Sequence, residues 1–195
     1  MNLPNRLTML RLILVPVIML LLLPIPGCLW WNQFVSSPLA HILAMIVFCI
    51  ASISDFLDGK IARSRNLVTD FGKLFDPIAD KLLVVGTFMA FVQLGRVHAL
   101  ILWVILFREL LITGIRQIAA SKGKVIAASM LGKWKTVTQI VSLIWLLLEP
   151  ILSLKVSDMG VILSIGNVLI AVAVVMTILS GYDYMKKNIH FFRQA

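Results

Sequence analysis

Acidic residues are scarce in this chain: nine Asp and Glu stand against 18 Lys and Arg in 195 residues. The composition is 60% hydrophobic and the mean hydropathy is +0.99. A soluble domain of this size could not hide so much apolar surface, which excludes an ordinary water-soluble fold and points to an integral membrane protein. The net charge of +9 reads as membrane topology rather than nucleic-acid binding, because Lys and Arg flank the apolar segments. Cysteine is almost missing. Cys28 and Cys49 lie in or beside apolar segments without the spacing of a metal site or a disulfide framework, so they read as small apolar residues. Internal repeats, low-complexity stretches and any polar segment long enough for a soluble domain are also missing. The whole of 1–195 therefore reads as a single membrane domain. The first apolar stretch is longer than the core of a removable signal peptide and is followed by further spans, so it is expected to stay in place.

What is present is a series of apolar runs with helical length. Leu3, Leu7 and Leu10 recur at helical spacing near Arg6 and Arg11, which predicts a short N-terminal amphipathic helix lying in the interface and running into the first span. Six transmembrane helices are expected after it, at about 10–25, 39–58, 72–94, 100–115, 134–148 and 159–180. The expected fold class is thus all-α, an integral membrane bundle. Pro24, Pro26 and Gly27 close the first span, Trp30 and Trp31 suit the lipid–water boundary, and Glu149 with Pro150 stops the fifth. Of the 18 basic residues only Arg96 and Lys155 fall in loops assigned outside, which leaves 16 on the other side. The positive-inside rule then predicts a multi-pass protein of the inner (cytoplasmic) cell membrane with both termini cytoplasmic.

The few acids are not scattered. Asp55, Asp58, Asp76 and Asp80 sit at the ends of two apolar segments. Ionisable groups at membrane depth are costly unless paired, metal-bound or hydrated, so their default reading is functional. At about 100° per helical residue, Asp55, Asp58, Gly59 and Ala62 share one narrow face, with Arg63 at its edge. Gly72, Asp76 and Asp80 share a face on the next helix. Two such faces turned toward each other make an oxygen-rich cage of the kind that suits Mg²⁺ or Mn²⁺. Gly59 and Ala62 lack bulk and allow a close approach to the backbone, while Arg63 is placed to hold a phosphate. Together these features suggest a pyrophosphate site. Asp70 lies outside the pattern and reads as a helix cap. Lys81 points away from the face of Asp80, and reads as snorkelling, as paired or as touching substrate.

The pattern D-x2-D-G-x2-A-R-x8-G-x3-D-x3-D, complete here at Asp55, Asp58, Gly59, Ala62, Arg63, Gly72, Asp76 and Asp80, resembles the signature of the CDP-alcohol phosphotransferase family. These are membrane enzymes that make phospholipid head groups. The resemblance implies a metal-dependent transferase that moves the phosphatidyl group of CDP-diacylglycerol to an alcohol and releases CMP. It implies two divalent ions, Mg²⁺ or Mn²⁺, with Asp55, Asp58 and Asp76 as ligands and Asp80 as both ligand and general base. Gly59, Ala62 and Arg63 would line the CDP moiety. Members are commonly homodimers embedded among membrane lipids. The positive-inside assignment puts Asp55–Asp80, and so the active site, at the cytoplasmic face.

Residues outside the signature bear on the acceptor. Arg108 and Arg116, eight apart, fall on about one face of the fourth span, and Lys133 and Lys135 open the fifth. The segments F-R-E-L-L-I-T-G-I-R and G-K-W-K-T resemble those of bacterial family members whose acceptor is sn-glycerol 3-phosphate. So does the opening N-x-L-T-x-x-R, with Asn5, Leu7, Thr8 and Arg11. Arg116 and Lys135 are the first expected ligands of the acceptor phosphate, with Lys133 and Arg108 beside them, although Arg108 is also placed to pair with Glu109. Thr8 and Asn5 are candidates on the CDP-diacylglycerol side. The alternatives are a member using inositol phosphate or serine, and, from another class, a transporter with intramembrane acids. A transporter predicts acids near mid-bilayer and paired broken helices, whereas these acids sit at one edge of their segments and no halves repeat.

Overall fold

Apolar runs of this length can satisfy their backbone in lipid only as helices or closed barrels, and the chain uses helices. A computed structural model describes residues 3–65, 70–121, 123, 129–154 and 158–188, of which 3–7, 55–65, 70–77 and 80 are described as backbone alone. Among the described residues there are seven helices and no strand: α1 (Leu3–Leu22), α2 (Leu29–Val35), α3 (Pro38–Arg65), α4 (Asp70–Gln93), α5 (Ala99–Ser121), α6 (Met130–Leu152) and α7 (Met159–Asn188).

α1 packs along both α3 and α4, α6 pairs closely with α7, and α5 leans on α7 and α4. Small residues set these distances. Ala40, Ala44 and Ala51 are buried along one side of α3. On α4 a side chain at Gly86 would come within 2.8 Å of Val15 Cγ1 of α1, so the glycine lets the two backbones approach. Ile18, Leu22, Phe48, Phe88, Leu143, Leu146 and Leu147 fill the interior between them.

α7 shows the logic of the whole bundle. Its buried side reads Ile162, Gly166, Ile170, Ala173, Thr177, Ser180, Gly181 and Tyr184, mostly small or polar. Its outward side reads Val161, Ile165, Val168, Val172, Val175 and Leu179. A helix with its most apolar face outside is built for lipid, where packing of small residues and shared hydrogen bonds replaces the hydrophobic drive. Several hydroxyls on the helices are satisfied locally: Ser54 donates to Ile50 O, Thr87 to Leu83 O and Thr177 to Ala173 O at 2.6–2.8 Å.

α6 and α7 are each long and apolar enough to cross a membrane. α2 and Pro38–Ser54 meet at a bend of 67° and make one more candidate if taken together, and Thr8–Leu22 and Lys81–Gln93 are shorter apolar helices. α5 is long enough but carries Arg108, Glu109 and Arg116. The architecture is that of a membrane helical bundle.

Several boundaries differ from those expected. The N-terminal helix does run into the first span, as one element, α1, which accommodates Pro16 without a break. Arg11, read as flanking the apolar face, is 1% exposed, and Thr8, a candidate on the CDP-diacylglycerol side, is 0% exposed. Nothing between Leu10 and Leu14 stops the helix, and α3 and α4 supply the surface that covers its polar residues. The tryptophans form a short helix of their own, α2. Trp30 and Trp31 stack with centroids 5.4 Å apart, after a turn in which Gly27 takes a φ of 80° that side chains disfavour. Pro150 lies inside α6 rather than ending it, and α7 runs on to Asn188.

Candidate active site

The helix assignments place the signature without ambiguity on the backbone. Asp55, Asp58, Gly59, Ala62 and Arg63 lie in the last turns of α3, and Gly72, Asp76 and Asp80 in the first turns of α4. α3 and α4 pack against each other and are joined through 66–69, so both stretches lie at one end of the bundle. The side chains of all eight, and that of Asn5, lie outside the described residues. Lys122, Lys124 and Lys155 lie outside them altogether. Among the described residues no group of three or more His, Cys, Asp and Glu could hold a metal ion. The donor set of the signature is nevertheless oxygen only, on helical registers i, i+3 and i, i+4, and such a set fits a hard divalent cation.

Next to this end lies a polar cluster. Glu109 of α5 is its hub. Its Oε1 accepts from Lys135 Nζ of α6 at 2.5 Å and from Arg108 Nη1 at 3.1 Å. Arg108 Nη2 reaches across to Ser180 Oγ of α7 at 2.5 Å. Lys81 of α4, the residue after Asp80, donates to Thr113 Oγ1, which itself donates to Glu109 O at 2.7 Å. One turn deeper, Gln139 Nε2 donates to Thr177 Oγ1 at 2.9 Å. Four helices are thus tied together by cations and hydroxyls around one carboxylate. Ion pairs buried this way need hydrogen bonds on both partners to offset desolvation; the cluster supplies several, and leaves Arg108 Nε without one.

Gly181 makes room for the arginine: a side chain there would come within 3.2 Å of Arg108 Cγ. Ser129 caps the start of α6 by accepting from Gly132 N at 3.1 Å, which sets Lys133 and Lys135 in the first turns of that helix.

The sequence-derived acceptor ligands divide here. Lys135 and Arg108 are brought together, the first buried at 6% exposure. Arg116 and Lys133 are exposed on α5 and α6. Thr8 is buried in α1. Lys81 joins the same cluster and adds its positive charge around Glu109. Sequence reasoning passed over Ser180, Thr113, Gln139 and Tyr184. The available signal was their polarity inside apolar runs at helical spacing, but only packing shows which of them face one another.

The opposite end of the bundle has its own clamp. Arg96, in the turn after α4, makes a two-pronged pair with Glu149 of α6, Nε to Oε2 at 2.6 Å and Nη2 to Oε1 at 2.7 Å. It also reaches Asn167 Oδ1 and Leu163 O of α7, at 2.7 and 3.2 Å. The hydrogen bond and charge of Glu149, against some burial, hold the Arg96 guanidinium above its ordinary pKa. Gly166 leaves the space beneath it: a side chain there would overlap Glu149 Oε1 and lie 2.6 Å from Arg96 Nη2, so these side-chain ends would have to shift.

A complete carboxylate signature on two adjoining helix ends, with a cationic cluster beside it, defines a class. The chain belongs to the CDP-alcohol phosphatidyltransferase family, whose model matches residues 1–179. It is similar over nearly its whole length to proteins called CDP-diacylglycerol–glycerol-3-phosphate 3-phosphatidyltransferase. One from Bacillus subtilis (strain 168) is 41% identical over 191 residues, covering 96% of this chain and 95% of its own. One from Rickettsia bellii (strain RML369-C) is 38% identical, covering 98% and 97%. A third, from Rickettsia typhi (strain ATCC VR-144 / Wilmington), is 39% identical over 185 residues, covering 95% and 96%.

Proposed function

We propose that this protein transfers the phosphatidyl group of CDP-diacylglycerol to sn-glycerol 3-phosphate, giving phosphatidylglycerophosphate and CMP on the route to phosphatidylglycerol. The observation that carries this reading is likeness along almost the entire chain to relatives of that name, with all eight signature positions present.

In this reading the acceptor hydroxyl attacks the phosphatidyl phosphorus. A new P–O bond forms, the P–O bond of the diphosphate bridge breaks, and CMP departs with that bond's electrons. Asp80 takes the hydroxyl proton and passes it to solvent. Asp55, Asp58, Asp76 and Asp80 would hold two Mg²⁺ or Mn²⁺ ions, which supply electrostatic stabilisation of charge on the attacking and leaving oxygens. Gly59, Ala62 and Arg63 accommodate the CDP moiety, with Thr8 and Asn5 of α1 on the same side. Arg116, Lys135, Arg108 and Lys133 hold the acceptor's phosphate. Lys135 can serve while paired, because an ammonium has three donors and Glu109 occupies one.

Six membrane crossings, cytoplasmic termini and a catalytic site at the cytoplasmic face complete the proposal, supported by the distribution of Lys and Arg. Such a position lets a water-soluble acceptor and a bilayer-held donor meet. A homodimer is expected from the family resemblance.

The test is CMP release by the purified protein with CDP-diacylglycerol and a panel of acceptors. Turnover with sn-glycerol 3-phosphate, well above that with inositol phosphate or serine, is the expected result. Preference for either of the others would replace the acceptor and keep the family chemistry. No release with any acceptor would overturn the reading.

A further inference from the structure

A groove of about 860 Å³ opens beside the Arg96–Glu149 clamp, at the end of the bundle opposite the signature. The turn after α4, the start of α5 and the middle of α7 line it. Its two ends differ. Arg96, His98 and Asn167 stand at one end, and Ile170, Val174 and Val175 continue it along α7. From Asn167 to Val175 the helix advances roughly 12 Å. Val175 is also exposed on the outward side of α7, so the apolar part of the groove is continuous with the surface built for lipid. The bilayer core holds no water, and lipid chains fill a groove that opens into it. The polar end makes the groove selective. Arg96 uses Nε, both Nη2 hydrogens and one Nη1 hydrogen on Glu149, Leu163 O and Asn167 Oδ1, which leaves the second Nη1 hydrogen. Asn167 Oδ1 is taken, and its Nδ2 meets no acceptor among the described residues. His98 Nδ1 accepts from Leu100 N at 3.2 Å, so the ring proton sits on Nε2, a further donor. Three donors thus share one end of a groove with no Asp or Glu among its lining residues.

We infer that this groove binds one anionic phospholipid, with its phosphodiester on Arg96 Nη1, Asn167 Nδ2 and His98 Nε2 and one acyl chain laid along Ile170, Val174 and Val175. Donors without a competing acceptor suit phosphate oxygens. The headgroup class follows from charge. Phosphatidylcholine would bring its ammonium beside the Arg96 guanidinium, with no carboxylate in the lining to receive it. Phosphatidylglycerol brings only the single charge of its phosphodiester and two hydroxyls. An amide on so apolar a helix is costly in lipid while its donors are unused, and a lipid phosphate uses them. The bound lipid bridges the turn after α4 to α7, the same two parts that Arg96 joins, so binding stabilises the fold. The inference is independent of the transferase reading: it concerns the far end of the bundle and needs no turnover.

The test is thermal unfolding of the full chain in detergent, with phosphatidylglycerol or phosphatidylcholine of the same acyl chains added. Phosphatidylglycerol should raise the unfolding temperature of the wild-type protein clearly more than phosphatidylcholine does. Asn167→Asp keeps an oxygen for Arg96 and turns the spare donor into a carboxylate oxygen. It should remove the advantage of phosphatidylglycerol, with binding weakened roughly ten- to a hundredfold in the concentration dependence of the shift. Ala171→Trp fills the groove along the path of the chain and should remove the shift from both lipids. Mass spectrometry of the intact protein should count one retained phosphatidylglycerol on the wild type and none on either variant. No shift in the wild type, equal shifts from the two lipids, or a preference that survives in Asn167→Asp overturns the inference. If Ala171→Trp does not fold, Asn167→Asp decides. A wild-type dimer that becomes monomeric in Ala171→Trp, with no lipid retained by either, shows that a second copy of the chain covers the groove and overturns it as well.

Discussion

Lys135 Nζ donates to Glu109 Oε1 at 2.5 Å across 26 residues of chain, inside a bundle whose outer surface is apolar. Arg108 shares the same oxygen. One carboxylate therefore holds two cations in place at the threshold of the signature helices, and it fixes their positions before any ligand arrives. The pair has two separable consequences, one for stability and one for substrate binding.

For stability, Glu109→Gln preserves shape and removes the charge. Lys135 and Arg108 are then left without their counter-ion, and breaking a buried pair costs about 3 kcal/mol. The expected outcome is a drop of several degrees in the detergent-solubilised unfolding temperature. A variant that melts with the wild type would show that Glu109 balances nothing.

For binding, Lys135→Ala and Arg116→Ala are expected to raise KM for sn-glycerol 3-phosphate more than KM for CDP-diacylglycerol. Lys135→Ala should also lower the unfolding temperature, since it strands Glu109, whereas Arg116 is exposed and its loss should leave stability within about 0.5 kcal/mol. Steady-state kinetics with each substrate varied in turn makes the comparison. Equal losses for both substrates would remove these residues from the acceptor site.

Chemistry at the signature is tested by Asp80→Asn. The amide keeps the size of the carboxyl but cannot take a proton near neutral pH, so turnover should disappear while CDP-diacylglycerol still binds. Excess EDTA should silence the wild-type enzyme, and added Mg²⁺ should restore it. Activity in the Asn variant would end the role of Asp80 as base, and full activity in EDTA would end the metal requirement.

The far end gives a control. Gly166→Ala forces a methyl group into the space of the Glu149 carboxylate and should prise it from Arg96. Overpacking of this kind costs roughly 1–3 kcal/mol. The unfolding temperature should fall, while kcat/KM of the folded fraction stays near that of the wild type because the clamp lies at the opposite end from the signature. An unaltered unfolding temperature would mean the pair re-forms around the methyl group.

Much of this protein was legible without coordinates. The membrane class follows from composition, since no arrangement of so apolar a chain could shield it from water. The helices follow from the length of the apolar runs, because lipid offers a backbone no other partner. The shared helix faces of the four acids follow from their spacing, acids so expensive in lipid announce themselves, and the signature is legible through its resemblance to the family pattern. Arg108 next to Glu109 was readable as a pair for the same local reason. Other features depended on residues far apart in the chain. That Glu109 also holds Lys135, that Arg108 reaches Ser180 over 72 residues, that Gly166 exists to admit Glu149 and Arg96, and that Tyr184 is buried with a hydroxyl unpaired among the described residues were all decided by packing. So was the burial of Arg11, whose place beside the apolar face suits a membrane surface until neighbouring helices cover it. Periodicity reports which side of a helix is apolar. Only the tertiary structure reports which polar side chains face one another across a seam, because that depends on how closely neighbouring backbones approach.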